Sequence, residues 1–312
     1  MIVLESSRLK LWLEPERGVQ WSALEARRGD AWLPLVPDCR PDSPRPRAGQ
    51  DESAPLAAAA FHMMPYSNRV RDGRFEFGGA THALPEPERH AIHGVVRKRP
   101  WRVVAHDAVR DGARDGARLE CAFDSTEHDG LGWPWPIRCT IVHELDAGEL
   151  RATMALTNAG DSPMPAGLGW HPYFAREVDG AAPTLELPVA AVFPDADGDC
   201  LPEGAPVALP AALDFRAARA LDPARHIDCC LAGLDGPVRL AWPDAGLGLT
   251  LHPDAACRYL VLYNPGMPHF AVEPVTNAND GFNLAARGVE AGVRTLGPGE
   301  TLEATLRLAL DA

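Results

Sequence analysis

No regular element of this chain can run far before it meets a glycine or a proline. There are 28 glycines and 30 prolines in 312 residues, about one position in five, against averages of roughly 7% and 5%. Proline removes a backbone donor and clashes with the turn before it, and glycine weakens a helix, so a long helical bundle is excluded. The chain is still 46% hydrophobic, enough to build a packed core rather than remain disordered. The uninterrupted stretches are short. Leu9–Leu13, Leu119–Phe123, Ile137–Leu145, Leu150–Leu156, Val238–Trp242, Leu247–Leu251, Tyr259–Tyr263 and Thr301–Leu308 place apolar residues at every second position. That period belongs to half-buried strands. Between them lie RDGARDGAR, DAGE, NAGDSP, DADGDCLPEG and LGPGE, all turn formers. The expectation is an all-β fold, a large antiparallel β-sandwich. Segment 38–55 is polar, proline-rich and unpatterned, which predicts a mobile surface loop. No other linker interrupts the chain, so residues 1–312 are expected to form one domain.

Charge and motif content narrow the function. The formal net charge is −13 and no basic run occurs, which argues against nucleic acid or an anionic membrane as partner. The only lysines are Lys10 and Lys98, so Schiff-base chemistry has two candidates at most. Seven cysteines with no CxxC spacing fit neither a disulfide framework nor a cysteine-rich zinc site, and reduced thiols in the cytoplasm are expected. No apolar run approaches about 18 residues and the N-terminal segment does not read as a signal peptide. GxSxG, GxxxxGK[ST], GxGxxG and HExxH are all missing, which removes the usual sequence support for serine hydrolase, P-loop, Rossmann and zincin chemistry.

Four segments set polar side chains into apolar or turn-rich surroundings. In Met64–Gly79 (MPYSNRVRDGRFEFGG), Asn68 and Arg69 precede a hairpin-like stretch. The arginine is either a surface residue beside a turn asparagine or a planar donor fork for a ligand oxygen. In His90–Trp101 (HAIHGVVRKRPW), His90 and His93 stand three apart. No third-ligand pattern follows, so no metal is expected. His93 before Gly94 fits a loop-end histidine that reaches into a cleft, the alternative being a structural histidine. In Gly167–Phe174 (GLGWHPYF), His171 is flanked by Trp170, Tyr173 and Phe174. This is either a packed aromatic corner or a set of faces for the C–H side of a sugar around an imidazole that titrates near neutral pH. In Phe270–Leu284 (FAVEPVTNANDGFNL), Glu273 closes an apolar strand before Pro274. It is either salt-bridged or a carboxyl with a raised pKa, as a general base requires. Asp228, in HIDCCLAG, is a further acidic candidate.

Taken in order, PYSNRVRDGRFEFGG, HAIHGVVRKRPW, GLGWHPYF and VEPVTNANDGFN resemble the aldose 1-epimerase (galactose mutarotase) family over about residues 2–309. The resemblance implies the family's β-supersandwich and a monosaccharide substrate, with no cofactor and a monomer or homodimer. It also implies roles: His171 as general acid at the ring oxygen, Glu273 as general base on the anomeric hydroxyl, His93 and Arg69 on the sugar, and Asp228 holding sugar hydroxyls. Asn68 beside Arg69, and Trp170 as a stacking wall, complete the expected substrate contacts. Galactose-specific members carry a segment more like NHSYFN around the histidine. Here it is GWHPYF with no asparagine after the phenylalanine, which leaves the sugar open. One alternative is a hexose-6-phosphate mutarotase, for which Arg71, Arg74, Arg97, Lys98 and Arg99 are available and against which the net charge argues. Others are a non-catalytic carbohydrate-binding protein on the same fold and a glycoside hydrolase or lyase, which needs a second acid.

Overall fold

The structure, a computed structural model, describes residues 1–41, 43, 56–110 and 115–311. Most of the loop expected at 38–55 lies outside the described residues. All eight alternating segments are strands, several running a residue or more beyond the pattern, as in Ile137–Asp146 and Thr301–Leu310. Among the described residues the strands form a sheet of eleven and a sheet of nine, with two small two-stranded ribbons. The family-like sandwich is therefore the fold.

The two large sheets differ in what covers them. In the nine-stranded sheet, the strands Asp115–Asp124, Ile137–Asp146, Glu149–Asn158 and Thr301–Leu310 pair antiparallel in long unbroken registers. Along Ile137–Asp146, Ile137, Cys139, Ile141, His143 and Leu145 are buried while Arg138, Thr140, Glu144 and Asp146 are exposed. One face packs and one is wet, which is what strict alternation encodes.

The middle of the eleven-stranded sheet is buried on both faces. Its central strands run in the order Ala60–Met63, Gly169–Ala175, His269–Val275, Tyr259–Asn264, Ile227–Ala232. Successive side chains point to opposite faces of a strand. Ala60, Trp170, Phe174, Phe270, Val272, Leu260 and Leu262 accordingly join the main core between the sheets. Phe61, Met63, Val275, Val261 and Cys230 join a second, smaller cluster on the far side, against which Tyr173 packs. The functional candidates sit on that far side.

Candidate active site

Register brings the two titratable candidates together. The strand Gly169–Ala175 pairs with His269–Val275 so that Gly169 faces Val275 and Tyr173 faces Ala271. That register sets His171 opposite Glu273 on the same face. The imidazole Nε2 lies 3.1 Å from the carboxyl Oε1. Both groups are almost sealed, His171 at 4% and Glu273 at 1% relative exposure. The imidazole orientation is set by rings around it: Phe61 and Tyr173 each at 4.5 Å between centroids, and His93 edge-on at 5.0 Å.

Burial decides the charge state of this pair. It pushes the Glu273 carboxyl well above the ordinary glutamate range, with the Asp228 carboxylate adding to the effect and Arg69 opposing it. Burial pushes His171 down to about 3, and the Arg97 cation adds to that. Both shifts favour the neutral partners. The neutral arrangement, a carboxylic acid beside an imidazole, is therefore favoured over a carboxylate beside an imidazolium.

His93 reaches the site from a loop. Its backbone is left-handed (φ 72°) and its N–H donates to Asn68 O at 2.6 Å. Gly94 follows with φ +68°, and a Cβ there would stand 2.2 Å from Met64 O. Only glycine permits this approach, and Val95 N–H donates to the same carbonyl at 2.8 Å. Burial, and after it His171, lowers the His93 pKa well below the usual range, so it is a neutral imidazole. His90 goes elsewhere: its Nδ1 accepts from Asp72 N–H at 3.0 Å. The two histidines do not form a metal pair, and among the described residues no group of three His, Cys, Asp or Glu side chains is arranged to hold a metal.

Asn68 is also left-handed (φ 50°) and 4% exposed. Arg69 is tied by its carbonyl, which accepts from Asp280 N–H at 2.8 Å. Its charge acts on Glu273, Asp228 and His93. Asp228, opposite Tyr263 in the register, lies on the site face. Burial raises its pKa, and the Cys200 thiol, which donates to Oδ1 at 3.0 Å, opposes that rise. Asn279 Nδ2 donates to the same sulfur at 2.9 Å. Several buried polar atoms here have no hydrogen-bond partner among the described residues: Glu273 Oε2, His93 Nδ1, Asn68 Oδ1, Arg69 Nε and Asn279 Oδ1. Buried polar atoms are ordinarily paired. A group of unpaired ones, donors and acceptors together, suits a polyhydroxylated ligand.

Trp170 does not belong to this group. It precedes His171 on one strand, so it points the other way, into the core between the sheets, and is 2% exposed. The expected stacking wall is corrected accordingly: the aromatic carbocycles packed on His171 are Phe61 and Tyr173. Phe61, beside His62, lies just before the Met64–Gly79 segment and outside every motif singled out in the sequence. Cys200 sits in a segment that reads only as a turn. Asn279 lay within a quoted motif, where a run of asparagines and an aspartate follows a buried strand. Asn277, Asn279 and Asp280 are each no more than 1% exposed, and so many sealed polar side chains in succession were the available signal.

A two-sheet sandwich with a buried His–Glu pair on the outer face of its larger sheet defines the class. The aldose 1-epimerase family profile matches residues 49–309, and the chain belongs to that family. It is 25% identical over 289 residues to the uncharacterized Escherichia coli K12 protein YphB, covering 87% of this chain and 90% of that protein. Its fold is similar to that of a galactose mutarotase-like protein from Clostridium acetobutylicum (TM-score 0.82, 19% identity, 98% of this chain and 93% of the other). It is also similar to that of the GalM/aldose epimerase homologue from C. elegans (TM-score 0.78, 17% identity, 99% and 98%).

Proposed function

We propose that this protein is a mutarotase that interconverts the α- and β-anomers of an aldose, with Glu273 as base and His171 as acid. The observation that carries the reading is the 3.1 Å contact between His171 Nε2 and Glu273 Oε1, with Glu273 Oε2 left unpaired. The anomeric oxygen and the ring oxygen are bonded to the same carbon. Opening the ring needs a proton removed at one and delivered at the other, so acid and base must stand side by side on one face. Neighbouring strands in register supply that spacing.

The one-proton pair is the correct stock for the reaction. Shifted across the 3.1 Å contact to His171, that proton leaves Glu273 as the carboxylate. Glu273 takes the proton from the anomeric hydroxyl, the C1–O1 bond becomes a carbonyl, the bond from C1 to the ring oxygen breaks, and His171 gives its proton to that oxygen. Rotation about C1–C2 turns the other face of the aldehyde to the ring hydroxyl. The reverse transfers close the ring as the other anomer. Arg69 and neutral His93 donate to sugar oxygens, where negative charge develops. Asn68 and Asp228 hold hydroxyls, and Phe61 and Tyr173 provide apolar faces.

Each proton-transfer group typically contributes about 10²–10⁴-fold. Saturation-transfer or exchange NMR on α/β mixtures of aldoses tests the reading. Acceleration over the spontaneous rate is expected, and its loss in Glu273→Gln and in His171→Asn. Full activity in either variant overturns the assignment, and sugar binding without acceleration in the wild-type protein favours a non-catalytic role.

A further inference from the structure

The turn that follows the Glu273 strand touches three elements that carry candidate site residues. Thr276 N–H donates to Leu168 O, and Thr276 Oγ1 accepts from Leu168 N–H, each at 2.8 Å, three residues before His171. Asn277 Oδ1 accepts from Ser67 N–H at 3.2 Å, beside Asn68 and Arg69. Asn279 donates to the Cys200 sulfur, whose thiol donates to Asp228. Asp280 closes the turn. It is fully buried, and the proposed mechanism leaves its carboxyl without a task.

Asp280 stands at the start of the short helix Gly281–Ala286, where an aspartate ordinarily accepts from the helix's own first N–H groups. Its side chain makes no such capping bond. Oδ1 accepts instead from Arg71 N–H at 2.9 Å and from Asn283 Nδ2 at 2.7 Å. The backbone N–H of the same residue donates to Arg69 O at 2.8 Å. The two main-chain contacts grip the chain directly after Arg69. From the other side, His93 N–H donates to Asn68 O at 2.6 Å, and Val70 N–H donates to His90 O at 2.8 Å. Asn68 (φ 50°) and Asp72 (φ 53°), at either end of this stretch, are both left-handed. Residues other than glycine keep that conformation only where their surroundings over-determine it. The ionic contacts of Asp280 are looser. Arg71 Nε and Arg287 Nη2 lie 3.9 and 3.8 Å from Oδ2, on side chains 37% and 49% exposed, and pairs of that kind contribute little.

We infer that Asp280 is a positioning residue for Arg69: its Oδ1 and its own N–H together set the main chain from which the Arg69 guanidinium reaches the sugar. The inference rests on the mutarotase reading for what Arg69 does there. A displacement of about 1 Å in a contact made in the transition state costs on the order of 10²-fold in rate. The role requires an acceptor at Oδ1. Asparagine supplies one and also tolerates the left-handed backbone, whereas glycine and alanine supply none.

The test is a double-mutant cycle on anomer exchange, run on glucose, galactose, fucose and arabinose. Asp280→Gly removes the acceptor without straining the left-handed backbone, and Asp280→Ala is a second variant to the same end. Each is expected to lower kcat/KM about tenfold or more, while Asp280→Asn stays within about threefold of the wild type and Arg287→Gln within about twofold. Arg69→Gln lowers kcat/KM by itself. Once Arg69 has been replaced, Asp280→Gly lowers it less than about twofold further, because the two residues act as one unit. A merely structural Asp280 would add its full loss to that of Arg69→Gln. That additivity, or wild-type kcat/KM in a folded Asp280→Gly or Asp280→Ala protein, overturns the inference and leaves the mutarotase reading intact. Titration with the 1,5-anhydroalditols of the same sugars, which cannot open their rings, separates the two claims. Affinity that falls with Asp280→Gly only while Arg69 is present, in a protein that turns over no sugar, keeps the positioning role and overturns the mutarotase reading. A wild-type protein that neither exchanges nor binds any of these sugars overturns both.

Discussion

The strand Ala60–Met63 carries a histidine environment on each face. On the inner face, His62 meets His143 of the other sheet at 5.2 Å between ring centroids. On the outer face, Phe61 packs on His171 and His93, themselves 5.0 Å apart. In both places two imidazoles meet roughly edge to face. Burial lowers the pKa of each: His62 to about 4, His171 to about 3, and His143 and His93 well below the ordinary value. A perturbed histidine therefore does not by itself mark a site in this molecule. Unpaired ring nitrogens occur on both faces, at His62 and His143 as at His93 and His171, but only the outer pair has a carboxyl at hydrogen-bond distance. The inner pair has a structural partner, since Trp21 Nε1–H donates to His143 Nε2 at 2.9 Å.

The largest test of this contrast removes the carboxyl or the imidazole on the outer face. Glu273→Gln and His171→Asn are expected to lower the exchange rate by about 10²–10⁴-fold while urea unfolding stays cooperative. A comparable loss of rate in a folded His143→Leu protein would break the distinction between the faces. For His143→Leu the expected effect is on stability. The Trp21 donor is left buried and unpaired, at a cost of about 1–3 kcal/mol in urea melts, with kcat/KM within about twofold of wild type.

The pH profile sharpens the comparison further. In the proposed mechanism the outer pair shares one proton. A second proton adds to His171 only as pH falls towards its lowered pKa of about 3. Loss of the one proton is resisted by the raised Glu273. After subtraction of the spontaneous rate, kcat/KM should therefore have no acid limb near 6.5, and its alkaline limb should lie above the ordinary glutamate range. An acid limb at 6.5 would mean that His171 titrates as an exposed imidazole.

The smallest expected effect belongs to the residue that looked most like a sugar platform. Trp170→Phe should leave KM within about twofold and lower stability by about 1–2 kcal/mol, as a partial large-to-small change in a core does. Measured KM values across several aldoses, beside a thermal or urea melt, check this. A KM effect of tenfold or more would return Trp170 to the site.

The legibility of the fold followed burial. Strands wet on one face, such as Ile137–Asp146, announced themselves by alternation. Ala60–Met63 and Gly169–Ala175 did not. They are covered on nearly all sides, and a short run without polar alternation carries no period to read. The candidate site lies on these quiet strands, which is why its residues were singled out through polar interruptions and family resemblance rather than through strand pattern. His171, Glu273, His93, Asn68, Arg69 and Asp228 were all named from sequence. Phe61, Cys200 and Asn279 were not, because nothing in their local sequence sets an ordinary phenylalanine, turn cysteine or asparagine apart from one that faces a site.

The sequence by itself determined the strand-and-turn architecture. Glycine and proline set the maximum element length, and period-two hydrophobicity assigned the faces of the half-exposed strands. It also supplied the chemical inventory of one imidazole and one carboxyl in suitable settings. Only the tertiary structure decided which side chains share a face. The register of Gly169–Ala175 against His269–Val275 puts His171 opposite Glu273, and the two-residue repeat of a strand sends Trp170 to the other side. The charge state of the pair was likewise a tertiary outcome: burial is a property of the whole packed molecule, and it is burial that favours the neutral acid and imidazole over the ion pair.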